Sequence, residues 1–407
     1  MATRRLFLAP LIFSASIAAQ NPPPSLTTLY SFTGNSDGGR PTQGMLVGAN
    51  GVLYGATSKG GAYNFGAIFS LTPPATPGGS WTETVLYSFT GDVDGLAPTL
   101  YVIGSGGVLY GIAVDGGISH GGAVFSLTPP SSAGGTWSFT ILHAFDGFAS
   151  VPSGLVIGTA GTLYGGTING GTYGHGMVFA LIPPASPGGP WTERMVYSFT
   201  GYIGSYLSFV IDSQGVLYGA TAGGGIYSLG MVFALTPPAS SGEAWTETEV
   251  HSFAGGSADG DSVWSPLVIG SGGVLYGTTV MGGASDAGTI FSLTPPATPG
   301  GAWTEAVLYQ FMSLHGHYPN PGSVILGKSG VLYGTTLAGG ASFAGTIFVL
   351  RPPASPGSSW TEEFLHEFTV SDGSAPNRLV INEGGVLYGT TVLGGAYNNG
   401  TVFALTE

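Results

Sequence analysis

The sequence predicts an all-β protein, a seven-bladed β-propeller, from its repeat period, its strand composition and its two ends. A Leu-Tyr-Gly motif recurs along the 407 residues in copies 54 to 58 residues apart. A fixed period of this order indicates one supersecondary unit repeated into a solenoid, a propeller or an array. The tyrosines of the motif are Tyr54, Tyr110, Tyr164, Tyr218, Tyr276, Tyr333 and Tyr388.

Each copy contains four short runs rich in Val, Ile, Leu, Phe, Tyr and Thr, which is typical of strands. The first run follows a proline, as at residues 155–158, and the second follows a tight glycine-rich turn, as at 52–57. The third covers residues 67–72, and the fourth covers residues 82–89. The segment between them is rich in proline and glycine and is a loop, because proline is not compatible with a central strand. Four short antiparallel strands repeated seven times predict a propeller.

The two ends of the chain predict how the ring closes. Residues 401–407 form a third strand with no fourth strand after it, whereas residues 25–32 match the fourth strand at 82–89. We expect this amino-terminal strand to complete the last blade, because closure removes the exposed edges of an open array.

The recurring segments Gly-x-Leu-Tyr-Gly-Thr-Thr, Gly-Gly, Gly-Thr-x-Phe-x-Leu-Thr-Pro and Val-Leu-Tyr-Ser-Phe resemble the GloVer (Gloeobacter/Verrucomicrobia) tandem-repeat family of exported proteins. The resemblance covers about residues 25–407. It implies a repeat propeller and export, and it implies little about activity.

Composition excludes several partners and chemistries. Charged residues make up 7% of the chain and the net charge is −13, so an acidic surface repels phosphate backbones and anionic lipid. We therefore expect neither nucleic acid nor a membrane surface as a partner. Without cysteine, the chain has no disulfide, thiolate nucleophile or zinc-thiolate site.

The first 19 residues predict a secretory signal peptide. Arg4 and Arg5 precede a short apolar run at 6–13, and small residues follow. We expect the rest, 20–407, to be a single propeller domain that is secreted or lies in the secretory lumen, or in the periplasm or outside the cell of a bacterial host. No later segment is apolar enough over sufficient length to insert in a bilayer.

The loops from fourth to first strand and from second to third strand vary most, and in a propeller they share one face around the channel. Variable loops on a rigid scaffold commonly carry function. Trp264 stands out there because the other tryptophans occupy the repeated fourth-strand position. The substrate-binding candidates are Tyr63, Asn64, Phe65, Tyr173, Tyr227, Trp264, His317, Tyr318, Phe343, Tyr397 and Asn398. The alternative is that each aromatic side chain packs against its own loop.

Four residues are candidates for a catalytic hydrogen-bond donor: His120, His175, Gln43 and Arg378. Other catalytic motifs are weak. The Gly-x-Ser-x-Gly matches at 34–38 and 117–121 lie in loops between strands rather than on a strand–turn–helix elbow. A calcium site at Asp259 and Asp261 is possible, but the sequence shows no cluster of the oxygen ligands that such a site needs. We expect no cofactor and no metal.

These features favour an aromatic-lined pocket for a small apolar or aromatic molecule, and a reaction that needs no strong acid, base, metal or thiol. A pericyclic cyclisation fits, and the chain is similar to fungal hetero-Diels–Alderases of tropolone-sesquiterpenoid pathways in architecture and signal peptide. That resemblance transfers no residue.

A secreted lectin or protein-binding module is the alternative. A lectin should repeat its site in every copy, whereas this rim varies, which favours one asymmetric site. A glycan-cleaving enzyme would need a carboxylate pair within roughly 10 Å at the channel mouth.

Overall fold

A computed structural model of the protein describes residues 23–407 except 77, 133, 148–150, 187, 241–242, 299, 313–316, 320–323 and 356–357. The described residues form seven antiparallel blades of four strands arranged in a ring, which confirms the predicted fold class. The predicted signal segment, residues 1–19, lies outside them. No helix among the described residues has the length and apolarity needed to cross a membrane.

In blades 1 to 6 the strands follow the chain from the first, beside the channel, to the fourth, at the periphery, whereas blade 7 takes its fourth strand from the amino-terminal segment. The first strands, several of them in two parts, are Gly39–Pro41 with Leu46–Val47, Leu96–Ile103, Pro152–Ile157, Leu207–Ile211, Gly260–Asp261 with Val268–Ile269, His317–Pro319 with Ile325–Leu326, and Ser374–Pro376 with Val380–Ile381. The second strands are Leu53–Lys59, Leu109–Val114, Leu163–Thr167, Leu217–Thr221, Leu275–Thr279 followed by Met281–Gly282, Leu332–Ala338 and Leu387–Leu393.

The outer two strands of each blade are equally regular. The third strands are Ala67–Thr72, Ala123–Thr128, Met177–Ile182, Met231–Thr236, Thr289–Thr294, Thr346–Arg351 and Thr401–Thr406. The fourth strands are Thr82–Ser88, Ser138–Ala144, Thr192–Ser198, Thr246–Ser252, Thr304–Gln310, Thr361–Glu367 and, for blade 7, Ser25–Ser31. Short 3₁₀ turns join first to second strands at Ala49–Gly51, Ser105–Gly107, Thr159–Gly161, Ser271–Gly273 and Lys328–Gly330.

The Leu-Tyr-Gly motif is explained by packing within and between blades. In blade 4, Gly219 lies opposite Phe233 of the third strand, and a Cβ atom at Gly219 would sit 2.2 Å from Cζ of that buried ring. The motif's tyrosine reaches the neighbouring blade, where Tyr54 contacts Trp137 edge-on at 5.8 Å between ring centroids. Glycine makes room for the phenylalanine, and tyrosine joins adjacent blades.

Gly219→Ala is expected to lower the free energy of unfolding by about 1–3 kcal/mol, because overpacking forces a buried ring out of its preferred position. Gly201→Ala is the matched control, since a Cβ atom there has no heavy atom within 4 Å. Urea unfolding measures both variants. Equal stability of the two would contradict this explanation of the motif.

The hydrophobic core is divided among the blade junctions rather than held inside single blades. Between blades 7 and 1, Phe32, Met45 and Leu53 pack with Phe69 and Val402. Six comparable clusters lie at other junctions of the described ring. Each blade therefore depends on its neighbours for burial.

The amino-terminal strand completes blade 7. Ser25–Ser31 pairs antiparallel with Thr401–Thr406, from Ser25 opposite Thr406 to Ser31 opposite Thr401. Across the same junction the side-chain amide of Asn377 donates to the carbonyl oxygen of Pro41 at 3.1 Å. The two ends of the chain thus meet in one sheet, as the sequence predicts.

Two glutamates at the same fourth-strand position should make stability depend on pH. Burial raises the pKa of Glu83, with a smaller effect of Asp37, and burial raises that of Glu362, in each case from 4.5 to about 7. Between these pH values the folded state keeps protons that the unfolded state loses, so the free energy of unfolding falls as pH rises from 4.5 through 7. The double variant Glu83→Gln/Glu362→Gln is expected to show a smaller decrease in stability over this pH range, measured by thermal unfolding at several pH values. An unchanged slope would contradict the assignment.

Candidate functional site

The loops predicted to share one face do so. The side-chain amide of Asn399, between second and third strands of blade 7, donates to the carbonyl oxygen of Thr33 at 2.8 Å. Thr33 lies in the loop that leads into blade 1, and the backbone amide of Arg40, in the first strand of that blade, donates to the Asn399 carbonyl oxygen at 2.8 Å. Adjacent blades therefore build a continuous rim from these two kinds of loop.

The predicted aromatic candidates occupy the tips of that rim. Tyr63, Tyr173, Tyr227 and Tyr397 are 56–59% exposed and stand at the same loop position in blades 1, 3, 4 and 7. The rim is therefore more repetitive than the sequence analysis assumed. Phe65, Phe343 and Trp264 are exposed as well.

Two predicted substrate-binding residues, Asn64 and Asn398, form hydrogen bonds within their own loops. Asn64 and Asn398 have left-handed backbones, with φ of 64° and 58°. Each side-chain oxygen accepts a hydrogen bond at 3.0 Å from a backbone amide four residues earlier, at Gly60 and Gly394. These amide side chains therefore close the turn, a role that asparagine fills well in this conformation.

The predicted histidines lie apart from the channel candidates. His120 is exposed and His175 half-buried in the second-to-third loops of blades 2 and 3. Neither lines the central cavity described below. His317 and Tyr318 lie in the first strand of blade 6, and their side chains fall outside the described residues.

Gln43 and Arg378 lie at the breaks in the two-part first strands of blades 1 and 7. Gln43 lies between Gly39–Pro41 and Leu46–Val47, and Arg378 between Ser374–Pro376 and Val380–Ile381. Their side chains line one cavity of about 200 Å³. The structure therefore brings together two of the four predicted hydrogen-bond donors.

Tyr101, Tyr206 and Ser208 complete the polar lining of this cavity. Tyr101 lies at a register shift between Leu100 and Val102 in the first strand of blade 2, and Tyr206 directly precedes the first strand of blade 4. Leu155 and Phe209 are among the apolar residues of the wall. The described lining holds no Asp or Glu, and so the glycan-cleaving alternative gains no support from it.

Neighbouring residues fix the backbone at Arg378 and Gln43. Asn377 donates to the hydroxyl oxygen of Thr390 at 3.0 Å, and that hydroxyl donates to the carbonyl oxygen of Gln43 at 2.9 Å. A Cβ atom at Gly44 would lie 2.3 Å from the carbonyl oxygen of Arg378, so only glycine allows this close approach of the two strands. Both donors therefore stand on rigid backbone.

Arg378 is a cation without a partner among the described residues. Its Nε is buried and makes no hydrogen bond, and no described carboxylate pairs with its guanidinium. Burial lowers the pKa of Arg378, whereas Tyr206 acts in the opposite direction. A guanidinium still stays charged in proteins. The site therefore offers an unused Nε–H donor and positive charge.

The two phenols remain neutral hydrogen-bond donors at neutral pH. Burial raises the pKa of Tyr206, Tyr101 raises it further, and Ser208 and the Arg378 charge oppose the shift. Burial also raises the pKa of Tyr101, while the Gly154 amide, which donates to its hydroxyl oxygen at 3.4 Å, lowers it. The cavity thus presents fixed donors in partly apolar surroundings.

The supporting hydrogen bonds were not predicted, although they repeat. In several blades a hydroxyl or amide side chain near the start of the first strand bonds a carbonyl oxygen of the next blade. The described examples are Thr42 to Pro98, Ser153 to Leu207, Ser208 to Ser265 and Asn377 to Pro41. The sequence signal for these bonds is a polar residue (Thr, Ser or Asn) that recurs near the start of the first strand in several copies of the repeat.

Among solved structures, the chain is similar to PorZ of the type-IX secretion system of Porphyromonas gingivalis, with TM-score 0.53 and 14% identity over 88% of this chain. It spans only 45% of the length of PorZ. It is also similar to a putative 6-phosphogluconolactonase from Bacteroides uniformis, with TM-score 0.50 and 14% identity over 79% of this chain and 83% of the other. At such identities the likeness shows the fold alone.

Sequence comparison identifies the repeat itself. No curated protein matches the chain. A family model, the Gloeobacter/Verrucomicrobia repeat, matches residues 11–209 and 152–403, which together cover nearly all of the propeller. The chain belongs to the Gloeobacter/Verrucomicrobia repeat family.

Proposed function

We propose that the protein binds an oxygen-bearing small molecule in the central channel and guides its cyclisation without a cofactor, in the manner of a hetero-Diels–Alderase. The observation that carries this proposal is Arg378, whose buried Nε makes no hydrogen bond and whose guanidinium has no carboxylate partner among the described residues, and which lines the same cavity as Gln43, Tyr101 and Tyr206. The predicted signal peptide supports action outside the cytoplasm, in a secretory compartment or after secretion.

The reaction matches what the site contains. In a hetero-Diels–Alder reaction the three π bonds of an oxygen-terminated diene and an alkene become one C–O bond, one C–C bond and one new C=C bond. No proton, electron or leaving group is transferred. Such a step needs orientation and a donor on the diene oxygen rather than a general base. Arg378 and a neutral tyrosine would supply that donor, because fixed donors in a water-poor site stabilise developing charge well.

The size of the cavity limits how the substrate sits. Ligand sites commonly measure roughly 300–1,000 Å³. At about 200 Å³, this cavity suits the reacting, oxygen-bearing fragment. The remaining apolar part of the substrate would extend along the channel.

Gene deletion in the source organism tests the proposal. Extracts with and without the gene are compared after chiral chromatography. We expect a cyclic product to disappear, with its linear precursor accumulating, or to become a mixture of stereoisomers. An unchanged profile would contradict the cyclase function.

A second candidate function is carbohydrate binding by the rim. Four tyrosines repeat at one loop position with more than half of each side chain exposed, and such rings can stack on sugars. A glycan array tests this with the wild type and a Tyr63→Ala/Tyr173→Ala/Tyr227→Ala/Tyr397→Ala variant. Binding that the variant loses supports the module. An array without signal, or equal binding by both proteins, counts against it.

A further inference from the structure

A fourth-strand position facing the blade junction is occupied by tyrosine or histidine in every blade. In two junctions the tyrosine hydroxyl holds an aspartate of the following loop: Tyr30 donates to Asp37 at 3.0 Å, and Tyr87 to Asp94 at 2.9 Å. Asp37 also accepts from the backbone amide of Thr33. In these two junctions the pair therefore fixes the loop that enters the next blade.

The junction between blades 4 and 5 differs. His251 replaces the tyrosine there, and its Nε2 lies 3.5 Å from Oδ2 of Asp259. Glu305, on the fourth strand of blade 5, joins them, and one ligand atom from each of the three side chains lies within 4.8 Å of the others. No other group of three such residues this close was found in the described part of the chain.

Two of the three side chains have unused atoms at this place. Oε1 of Glu305 is buried and has no hydrogen-bond partner among the described residues, and the buried Nε2 of His251 has only the Asp259 oxygen at 3.5 Å, outside good hydrogen-bond geometry. Buried polar atoms are normally paired, so each unpaired one calls for an explanation such as an ion. Oε1 of Glu83 and of Glu362, at the same fourth-strand position as Glu305, is unpaired as well. What is particular to this junction is the imidazole nitrogen of His251 beside that oxygen.

The cluster is also held in place. The Asp259 carboxylate accepts hydrogen bonds from the backbone amides of Ala254 at 2.7 Å and Gly260 at 2.6 Å. The His251 ring packs edge-on against buried Phe253, with 4.7 Å between centroids. Both ligands are therefore oriented before any ion arrives.

We propose that His251, Asp259 and Glu305 bind a divalent transition-metal ion of the Zn²⁺ class between blades 4 and 5. One imidazole nitrogen and two carboxylate oxygens suit such an ion. Ligand bonds of about 2.0–2.2 Å would require small side-chain rotations that draw the three atoms together. The ion would neutralise two adjacent carboxylates and join the fourth strands of two blades.

The neighbouring junctions supply a variant that should keep the fold. Tyrosine stands at the His251 position in four blades, as Tyr30, Tyr87, Tyr197 and Tyr309, so His251→Tyr restores the commonest residue while removing the nitrogen ligand. His366→Tyr is the matched control. His366 contacts Asp372 at 2.9 Å, but Leu26 stands at the position equivalent to Glu305.

Isothermal titration with Zn²⁺ tests the site, using tag-free full-length protein treated with a chelator and then dialysed. We expect about one ion per chain, at least 100-fold weaker binding by His251→Tyr, and unchanged binding by His366→Tyr. Glu305→Gln should weaken binding as well. Absence of saturable binding, or equal affinity in wild type and His251→Tyr, would overturn the proposal. The result is independent of the channel site.

Discussion

Protein that begins at Thr33 is expected to lose the cooperative unfolding transition shown by protein that begins at Pro23. The missing segment provides the fourth strand of blade 7, so Thr401–Thr406 would become an exposed edge. The truncation also removes Phe32, which is fully buried between blades 7 and 1. Loss of one buried phenylalanine side chain alone costs about 3–5 kcal/mol. The free energy of unfolding of a native protein is about 5–15 kcal/mol in total. Loss of the fourth strand of blade 7 together with the Phe32 side chain should therefore unfold most of the protein.

Circular dichroism on heating measures this effect, and a peptide spanning residues 23–32 provides the control. Added in excess to the shortened protein, the peptide should restore the transition, because it can pair with the same third strand. Native-like unfolding of the shortened protein without peptide would show that closure by the amino-terminal strand is not required.

Arg378→Gln is expected to slow the proposed cyclisation by about 10²–10³-fold, the loss that accompanies removal of one donor aimed at a developing oxyanion. Glutamine keeps an N–H donor and much of the length, but it removes the charge. The substrate would be the linear precursor that accumulates in the deletion strain, and product formation by purified protein gives the rate.

Arg194→Gln is the matched control because Arg194 is exposed on the fourth strand of blade 3, away from the cavity. It should cyclise the precursor at the wild-type rate. An Arg378→Gln protein that is folded and equally fast would remove Arg378 from the proposed mechanism.

The fold could be predicted because its determinants are local and repeated. The glycine of Leu-Tyr-Gly recurs since the opposing phenylalanine needs the space, as at Gly219 and Phe233. The tyrosine recurs since it contacts the next blade, as Tyr54 contacts Trp137. A motif of this kind therefore indicates where the strand lies, how it is aligned with the next strand, and that it packs against the adjacent blade.

The site was harder to predict because it is built from departures from the repeat. Gln43 and Arg378 were recognised from their place near the channel, and they line one cavity. Tyr206 enters the same cavity from the residue directly before the first strand of blade 4. At the aligned position blades 3 and 7 have the aliphatic or small residues Val151 and Ala375, and the repeat pattern does not foretell this tyrosine. Asn64 and Asn398 suggested ligand contacts, yet their side chains close their own loops. Sequence spacing does not show which polar atoms are already paired.

The most direct test of the channel site is complementation of the deletion strain with the wild-type, Arg378→Gln or Arg194→Gln gene, followed by chiral chromatography of the cyclised product. We expect one stereoisomer with the wild-type and Arg194→Gln genes. With the Arg378→Gln gene we expect precursor accumulation or a stereoisomer mixture at equal protein level. A single stereoisomer at the wild-type amount with Arg378→Gln would contradict it.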